Sequence, residues 1–147
     1  MKNVIIYTRV STDEQAKSGY SLSHQKHVLE TYCKHHNLNI LAHYQDDYSA
    51  KDFERPEFKK LLSYSRLNKR IIDILLFTRW DRFSRNTTDS YNMLRTLDNL
   101  GISTNSVEQP LDLTQPDSKV MLAVYLSSSE IENDKNSIRT KEGMRRA

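Results

Sequence analysis

The sequence predicts an α/β domain in three layers: a central, mostly parallel sheet of four or five strands, helices on its faces, and a long C-terminal helix. Three observations carry this prediction. Short apolar runs rich in β-branched residues, at 4–7, 40–44, 71–77 and 102–107, alternate with segments of helical period, which is the grammar of right-handed βαβ crossovers. The first three runs each end in charged or hydroxylic residues, as parallel strands do where an open sheet binds its ligand. From Ser118 onward, apolar residues recur at near-heptad intervals on an otherwise charged segment. The 147 residues suffice for one domain with a real core and are too few for two of ordinary size.

The first strand, Val4-Ile5-Ile6-Tyr7, runs into Thr8-Arg9-Val10-Ser11-Thr12. Residues 13–21 are polar around Gly19 and read as a loop. Ser21 then caps a helix whose inner face takes Leu22, Leu29, Tyr32, Cys33 and His36, and Asn37 ends it. Ile40 to Tyr44 is the second strand, running into Gln45-Asp46-Asp47-Tyr48-Ser49. Arg55-Pro56-Glu57 places proline at the first position of a helix with Phe58, Leu61, Leu62 and Ser65 inward. Ile71 to Phe77 is apolar apart from Asp73, which predicts a strand buried on both faces, and it leads into Thr78-Arg79-Trp80-Asp81-Arg82-Phe83-Ser84-Arg85. A helix from Thr87 or Thr88 shows Tyr91, Leu94 and Leu97 inward and stops at Gly101, a left-handed cap. Ile102 to Val107 is a weaker fourth strand, followed by a polar loop to Pro116.

Residues 1–117 therefore read as the α/β domain and 118–147 as a separate long helix. Val120 or Met121, Val124, Ser128, Ile131, Lys135 and Ile138 line one side of it. A helix of more than twenty residues exceeds what a small sheet covers, so its distal half is expected to serve a partner subunit or nucleic acid. No capping signal closes Met144-Arg145-Arg146-Ala147, so a longer parent protein is expected.

Composition narrows the function classes. Hydrophobic residues make up 37% and charged ones 28%, with three glycines and three prolines, which argues against a disordered or loop-rich chain. The formal charge of +3 is compatible with a polyanionic partner without requiring one. The single cysteine, Cys33, excludes an intramolecular disulfide framework and argues against a zinc cluster, so a reducing cytoplasm is the simplest compartment. No apolar run approaches the ~20 residues of a membrane span.

In a parallel sheet the strand-end residues converge on one rim: Arg9, Ser11, Asp46, Arg55, Arg79, Asp81, Arg82 and Arg85. Taken alone, Arg9-x-Ser11 reads better as a helix cap beside a surface charge. Arginines with a serine and one or two carboxylates make a poor metal site but suit metal-free phosphoryl transfer. Guanidinium forks match phosphate oxygens and stabilise charge on the equatorial oxygens of the transition state, while serine attacks.

At this point three motifs resemble a known family. Tyr7-x-Arg9-Val10-Ser11-Thr12-x-x-Gln15, Asp46-x-x-Ser49 with Arg55-Pro56 behind it, and Asp81-Arg82-x-x-Arg85 together resemble the catalytic domain of serine site-specific recombinases, the resolvase/invertase group and its large integrase-like members. The resemblance spans nearly the whole chain. It implies that Ser11 attacks a DNA phosphodiester, leaving a 5′-phosphoserine bond and a free 3′-hydroxyl. Arg9, Arg82 and Arg85 would hold the phosphate, with Arg55 joining in the active assembly. Asp81 would position the arginines or assist proton transfer, Asp46 and Ser49 would support the site, and Gln15 and Gln25 would order its loop.

The resemblance implies neither metal nor other cofactor, because the covalent bond conserves the phosphodiester energy. It further implies double-stranded DNA as partner and homodimers that assemble into a tetramer on it, exchanging ends by subunit rotation. The long helix would form the dimer interface and contact DNA, with Lys135 and Arg139 as its DNA-facing cations. Two departures stand out: Ser49-Ala50 where the family often has Ser-Gly, and Glu132-Asn133-Asp134-Lys135 where it is commonly richer in arginine.

Plainer readings apply to other residues. His24 and His27, spaced as on one helical face, are expected to be surface histidines, and Trp80 a packing residue. Arg66, Lys69 and Arg70 form a solvated basic end. The rival from another class is a non-catalytic resolvase-like module that only dimerises or binds DNA, which loss of the nucleophile or phosphate arginines would mark. A second rival, a phosphate monoester hydrolase acting through Ser11, predicts turnover of small phosphates. Little in these residues reads a DNA sequence, so this chain alone is expected to recombine poorly.

Overall fold

Apolar residues occupy successive positions of the first strand, and each face of the sheet takes alternate ones. The computed structural model describes residues 1–10, 21–47 and 54–127. Its elements are β1 (Asn3–Arg9), α1 (Leu22–His35), β2 (Asn39–Asp46), α2 (Pro56–Leu67), β3 (Ile74–Phe77), α3 (Trp80–Phe83), α4 (Thr87–Asn99) and β4 (Ser103–Ser106). A further helix, α5, covers 116–127. The four strands run in the order β2-β1-β3-β4, and every pairing is parallel. Val4 and Ile6 face α1, packing with Leu29, Cys33 and Leu76. Ile5 and Tyr7 face the opposite layer with Leu75, Phe77, Phe58, Leu61, Leu97, Leu122 and Leu126. A strand buried on both faces needs apolar residues at both parities, which is why β1 and β3 read as continuous runs rather than alternating ones.

Local signals set most boundaries. The Ser21 side chain accepts a hydrogen bond from the His24 backbone N–H at the start of α1, and Pro56 opens α2. Asn37 and Gly101 adopt positive φ, 53° and 78°, just past α1 and α4, where a left-handed residue lets the chain leave a helix.

The structure corrects five expectations. The third strand starts at Ile74, not Ile71, because Arg70 turns through a positive φ of 68° and the Asp73 carboxylate accepts the Asn3 backbone N–H at 2.8 Å. Trp80–Phe83, read as part of a strand-end cluster, forms a single helical turn. The last helix begins at 116, where Pro116 again takes a first-turn position. Its core contacts come from Leu122 and Leu126, whereas Val120, Met121 and Val124 are 68%, 43% and 49% exposed; the two apolar stripes on α5 face opposite ways. Tyr91 and His36, both expected inward, are exposed, and His36 lies against Tyr32 with ring centroids 4.2 Å apart. Residues 13–20 of the loop expected over 13–21, and the distal part of the long helix, lie outside the described residues.

Candidate active site

Parallel pairing sets the last residue of β1 beside the last residue of β2, Arg9 opposite Asp46. Val10 continues the ladder by donating its backbone N–H to the Asp46 carbonyl at 3.1 Å. On the other side of β1 the Gln25 side chain replaces a strand. Its Nε2 donates to the Arg9 carbonyl at 2.9 Å, and its Oε1 accepts the Arg9 N–H at 3.2 Å. An amide matches both groups because it carries a donor and an acceptor at once. The backbone leading to Ser11 is therefore held from both flanks.

Three guanidiniums gather here, on Arg9, Arg55 and Arg82, with exposures of 0%, 1% and 2%. Buried charges demand partners, and α3 supplies many of them. A one-turn helix leaves most of its carbonyls without intrahelical donors: that of Trp80 accepts the Ser84 N–H, and those of Asp81, Arg82 and Phe83 remain. Arg9 donates through Nη2 to the Asp81 carbonyl (2.8 Å) and through Nε to the Arg82 carbonyl (3.2 Å). Arg55 donates through Nη2 to the Phe83 carbonyl at 2.5 Å. In return, Arg82 donates through Nη1 to the Arg9 carbonyl at 3.1 Å, so the end of β1 and α3 hold each other.

Two carboxylates complete the network. Asp81 receives Arg82 in a forked contact, Oδ1 from Nε at 3.3 Å and Oδ2 from Nη2 at 3.1 Å. Burial pushes the Asp81 carboxyl up, but the charge and hydrogen bonds of Arg82, with the nearby charges of Arg85 and Arg79, outweigh it and hold the group below the usual carboxylate range. Asp46 is 4% exposed and caps α2 from a neighbouring strand: Oδ1 accepts the Glu57 N–H at 3.0 Å and Oδ2 the Phe58 N–H at 3.1 Å. Those are two of the orphan donors at the start of α2, to which Pro56 contributes none, and Arg55 is the N-cap residue of that helix.

Tyr7 joins the two halves. Its hydroxyl donates to Asp46 Oδ2 at 2.8 Å and accepts from Arg55 Nη1 at 3.1 Å. The Arg55 guanidinium also sits 5.8 Å from the Tyr7 ring centroid and 5.5 Å from that of Phe58. Burial, opposed by the Arg55 charge and reinforced by the Asp46 charge, pushes the phenol above its ordinary range, so it stays protonated.

Of the expected site residues, Arg9, Gln25, Asp46, Arg55, Asp81 and Arg82 thus form one hydrogen-bonded network. Arg85 is half-buried just after α3, close enough for its charge to act on Asp81. Ser11, Gln15, Ser49, Lys135 and Arg139 lie outside the described residues. Sequence reading assigned Tyr7 no role, though it stood in the first motif. It also missed Gln109, whose side-chain oxygen accepts the Trp80 backbone N–H at 2.9 Å and whose carbonyl accepts the Trp80 indole Nε1–H at 3.0 Å. No local pattern pairs those two residues. Among the described residues no group of three or more His, Cys, Asp or Glu side chains is arranged to hold a metal ion. His24 and His27 are exposed, and Trp80 is buried.

A cluster of guanidiniums stands at the C-terminal edge of the parallel sheet, with the chain fixed just before Ser11, the edge at which open α/β sheets bind their ligands. The comparisons specify it. A family model described as the resolvase N-terminal domain matches residues 4–147, and the chain belongs to that family, the serine recombinases. A resolvase of Clostridium perfringens (strain 13 / Type A) is 31% identical over 144 residues, 96% of this chain and 69% of the relative. Among solved structures, the N-terminal catalytic domain of TP901-1 integrase matches with a TM-score of 0.73 at 26% identity, covering 92% of this chain and 99% of that one. A resolvase family site-specific recombinase from Streptococcus pneumoniae matches with a TM-score of 0.67 at 27% identity, covering 98% and 96%.

Proposed function

We propose that Ser11 is the nucleophile with which this serine recombinase performs DNA strand exchange. The carrying observation is the arginine network at the end of β1: Arg82 Nη1 lies 3.1 Å from the carbonyl of Arg9, two residues before Ser11. At the strand end that leads to Ser11, Arg9 and Arg82 are already oriented by fixed acceptors, which limits the reorganisation needed to stabilise the developing charge of a phosphodiester.

In the cleavage step the Ser11 Oγ–phosphorus bond forms and the phosphorus–O3′ bond breaks. The hydroxyl proton leaves the serine, a proton joins the departing 3′ oxygen, and the reverse displacement rejoins DNA. Each bond exchanged is a phosphodiester for a phosphodiester, so neither nucleotide nor metal enters the reading. Asp81, with its carboxyl held low, is a poor proton acceptor at neutral pH, and its part is to orient Arg82. Arg9, Arg82 and Arg85 bind the phosphate. Arg55 reaches it by exchanging carbonyl partners for phosphate oxygens when subunits assemble. Gln25 steadies the backbone before Ser11, and Gln15 and Ser49 complete the loop side of the site.

The chain acts as a homodimer that becomes a tetramer on double-stranded DNA in the cytoplasm. The exposed Val120, Met121 and Val124 on α5 support a subunit contact, and Lys135 and Arg139 follow on the same segment of sequence as DNA contacts. The test mixes the protein in its full length with a cognate duplex and traps the covalent complex. Wild type yields a protein–DNA adduct and Ser11→Ala yields none; an adduct from the alanine variant refutes the mechanism, and DNA binding without any adduct from wild type favours a non-catalytic module.

A further inference from the structure

We propose that Gln109 is a positioning residue for the arginine turn, clamping Trp80 so that α3 presents its carbonyls and Arg82 in register with the end of β1. The inference rests on the recombinase reading and extends it to a loop on the far side of the sheet's third strand. Gln109 holds Trp80 at two points, the backbone N–H at 2.9 Å through Oε1 and the indole Nε1–H at 3.0 Å through its own carbonyl. Trp80 is the first residue of α3. The next three residues, Asp81, Arg82 and Phe83, supply the carbonyls on which Arg9 and Arg55 rest.

The clamp is itself anchored. Ser106 Oγ donates to the Thr78 carbonyl at 2.6 Å and accepts the Gln109 N–H at 3.0 Å. Asn105 Oδ1 accepts the N–H groups of Ser106 at 2.8 Å and Leu111 at 3.0 Å. The Glu108 N–H donates to the Thr78 carbonyl at 2.9 Å. The loop after β4 is thus tied to the end of β3, and its fixed frame carries Gln109 to the start of α3. Burial supplies the rest: Trp80 is 1% exposed and packs against Phe77 and Phe83 with ring centroids 5.0 and 6.0 Å away. Ring packing is weakly directional, and the two hydrogen bonds add directional contacts at the first residue of the turn, beside those that Arg9 and Arg55 make to its later carbonyls.

The Trp80 backbone N–H needs an acceptor from the Gln109 side chain and nothing more, so Gln109→Glu keeps both points of the clamp, whereas Gln109→Ala removes the side-chain point and leaves only the carbonyl that holds the indole. Trp80 is the single tryptophan of the chain, so its fluorescence reads the clamp without any reaction. The experiment compares wild type, Gln109→Glu and Gln109→Ala for Trp80 emission and acrylamide quenching, amide hydrogen exchange over 80–83, DNA affinity, and the first-order rate of covalent adduct formation at saturating duplex. Gln109→Ala is expected to increase quenching and exchange at 80–83 and to slow adduct formation by about tenfold or more. DNA affinity stays within about twofold, because phosphate contacts elsewhere carry it. Gln109→Glu is expected to track wild type in every readout. Unchanged quenching and exchange in Gln109→Ala overturns the clamp whatever the chemistry does. A released Trp80 with a wild-type cleavage rate, or equal loss in both variants, overturns the positioning role. Failure of wild type to form any adduct while the clamp signals behave as described overturns the nucleophile assignment instead.

Discussion

Replacing Tyr7 with phenylalanine deletes one oxygen atom from the centre of the arginine network and keeps the ring. That ring is fully buried and meets Phe58 edge-on with centroids 5.2 Å apart, so the substitution opens no cavity of consequence. What it removes is the donor to Asp46 Oδ2 and the acceptor from Arg55 Nη1, at 2.8 and 3.1 Å. Hydrogen bonds to charged groups contribute about 1.5–3 kcal/mol each. Asp46 keeps two backbone donors and Arg55 keeps the Phe83 carbonyl, so the two losses do not add in full. The expected destabilisation is about 2 kcal/mol, a fall in Tm of about 4–8 °C for a domain of this size. Urea unfolding followed by circular dichroism measures it, with an unchanged slope as the sign that the transition remains two-state. A Tyr7→Phe protein within about 0.5 kcal/mol of wild type refutes the claim that this hydroxyl joins the two halves of the site, since surface-like substitutions fall in that range.

Two further outcomes follow from named groups. Asp81→Asn is expected to lower stability by about 2 kcal/mol at neutral pH, the scale of hydrogen bonds to a charged partner. Its folded carboxyl titrates below the ordinary value of 3.8, so the stabilisation is complete above that value and disappears as pH falls through the lower, folded one; a gap between wild type and variant that stays constant down the acid limb contradicts the ion pair. Thr104 Oγ1 is the one buried side-chain polar atom without a hydrogen-bond partner among the described residues. Thr104→Val is therefore expected to raise stability by about 1 kcal/mol, by removing an unsatisfied hydroxyl of the same shape, and a loss of stability in urea titration overturns that account.

The sheet was legible because its signals are local. Apolar runs at both parities mark strands covered on two faces, and proline, serine, asparagine and glycine mark the helix ends. Those signals located the helix ends at Ser21, Pro56 and Gly101. Less legible was the direction in which a moderately apolar helix turns. Tyr91 and Val124 fit a helical stripe as well as Leu97 and Leu126 do, but only the latter pair finds a covering layer. The turn at Trp80–Phe83 escaped because four residues are too few to show a period, and the acceptors of its first residue come from the loop after β4.

Residue types and their order along the chain were enough to place Arg9, Asp46 and Asp81-Arg82 at the ends of successive parallel strands, since in a parallel sheet every strand finishes on the same rim. Their partners could not be read that way. Arg9 and Arg82 exchange hydrogen bonds across 73 residues, Tyr7 meets Asp46 across 39 and Arg55 across 48, and Trp80 meets Gln109 across 29. Such pairs exist because β1 lies between β2 and β3 and because α3 is one turn long. A hydrogen bond depends on ångström-scale placement, which packing of distant segments sets and no spacing along the chain encodes.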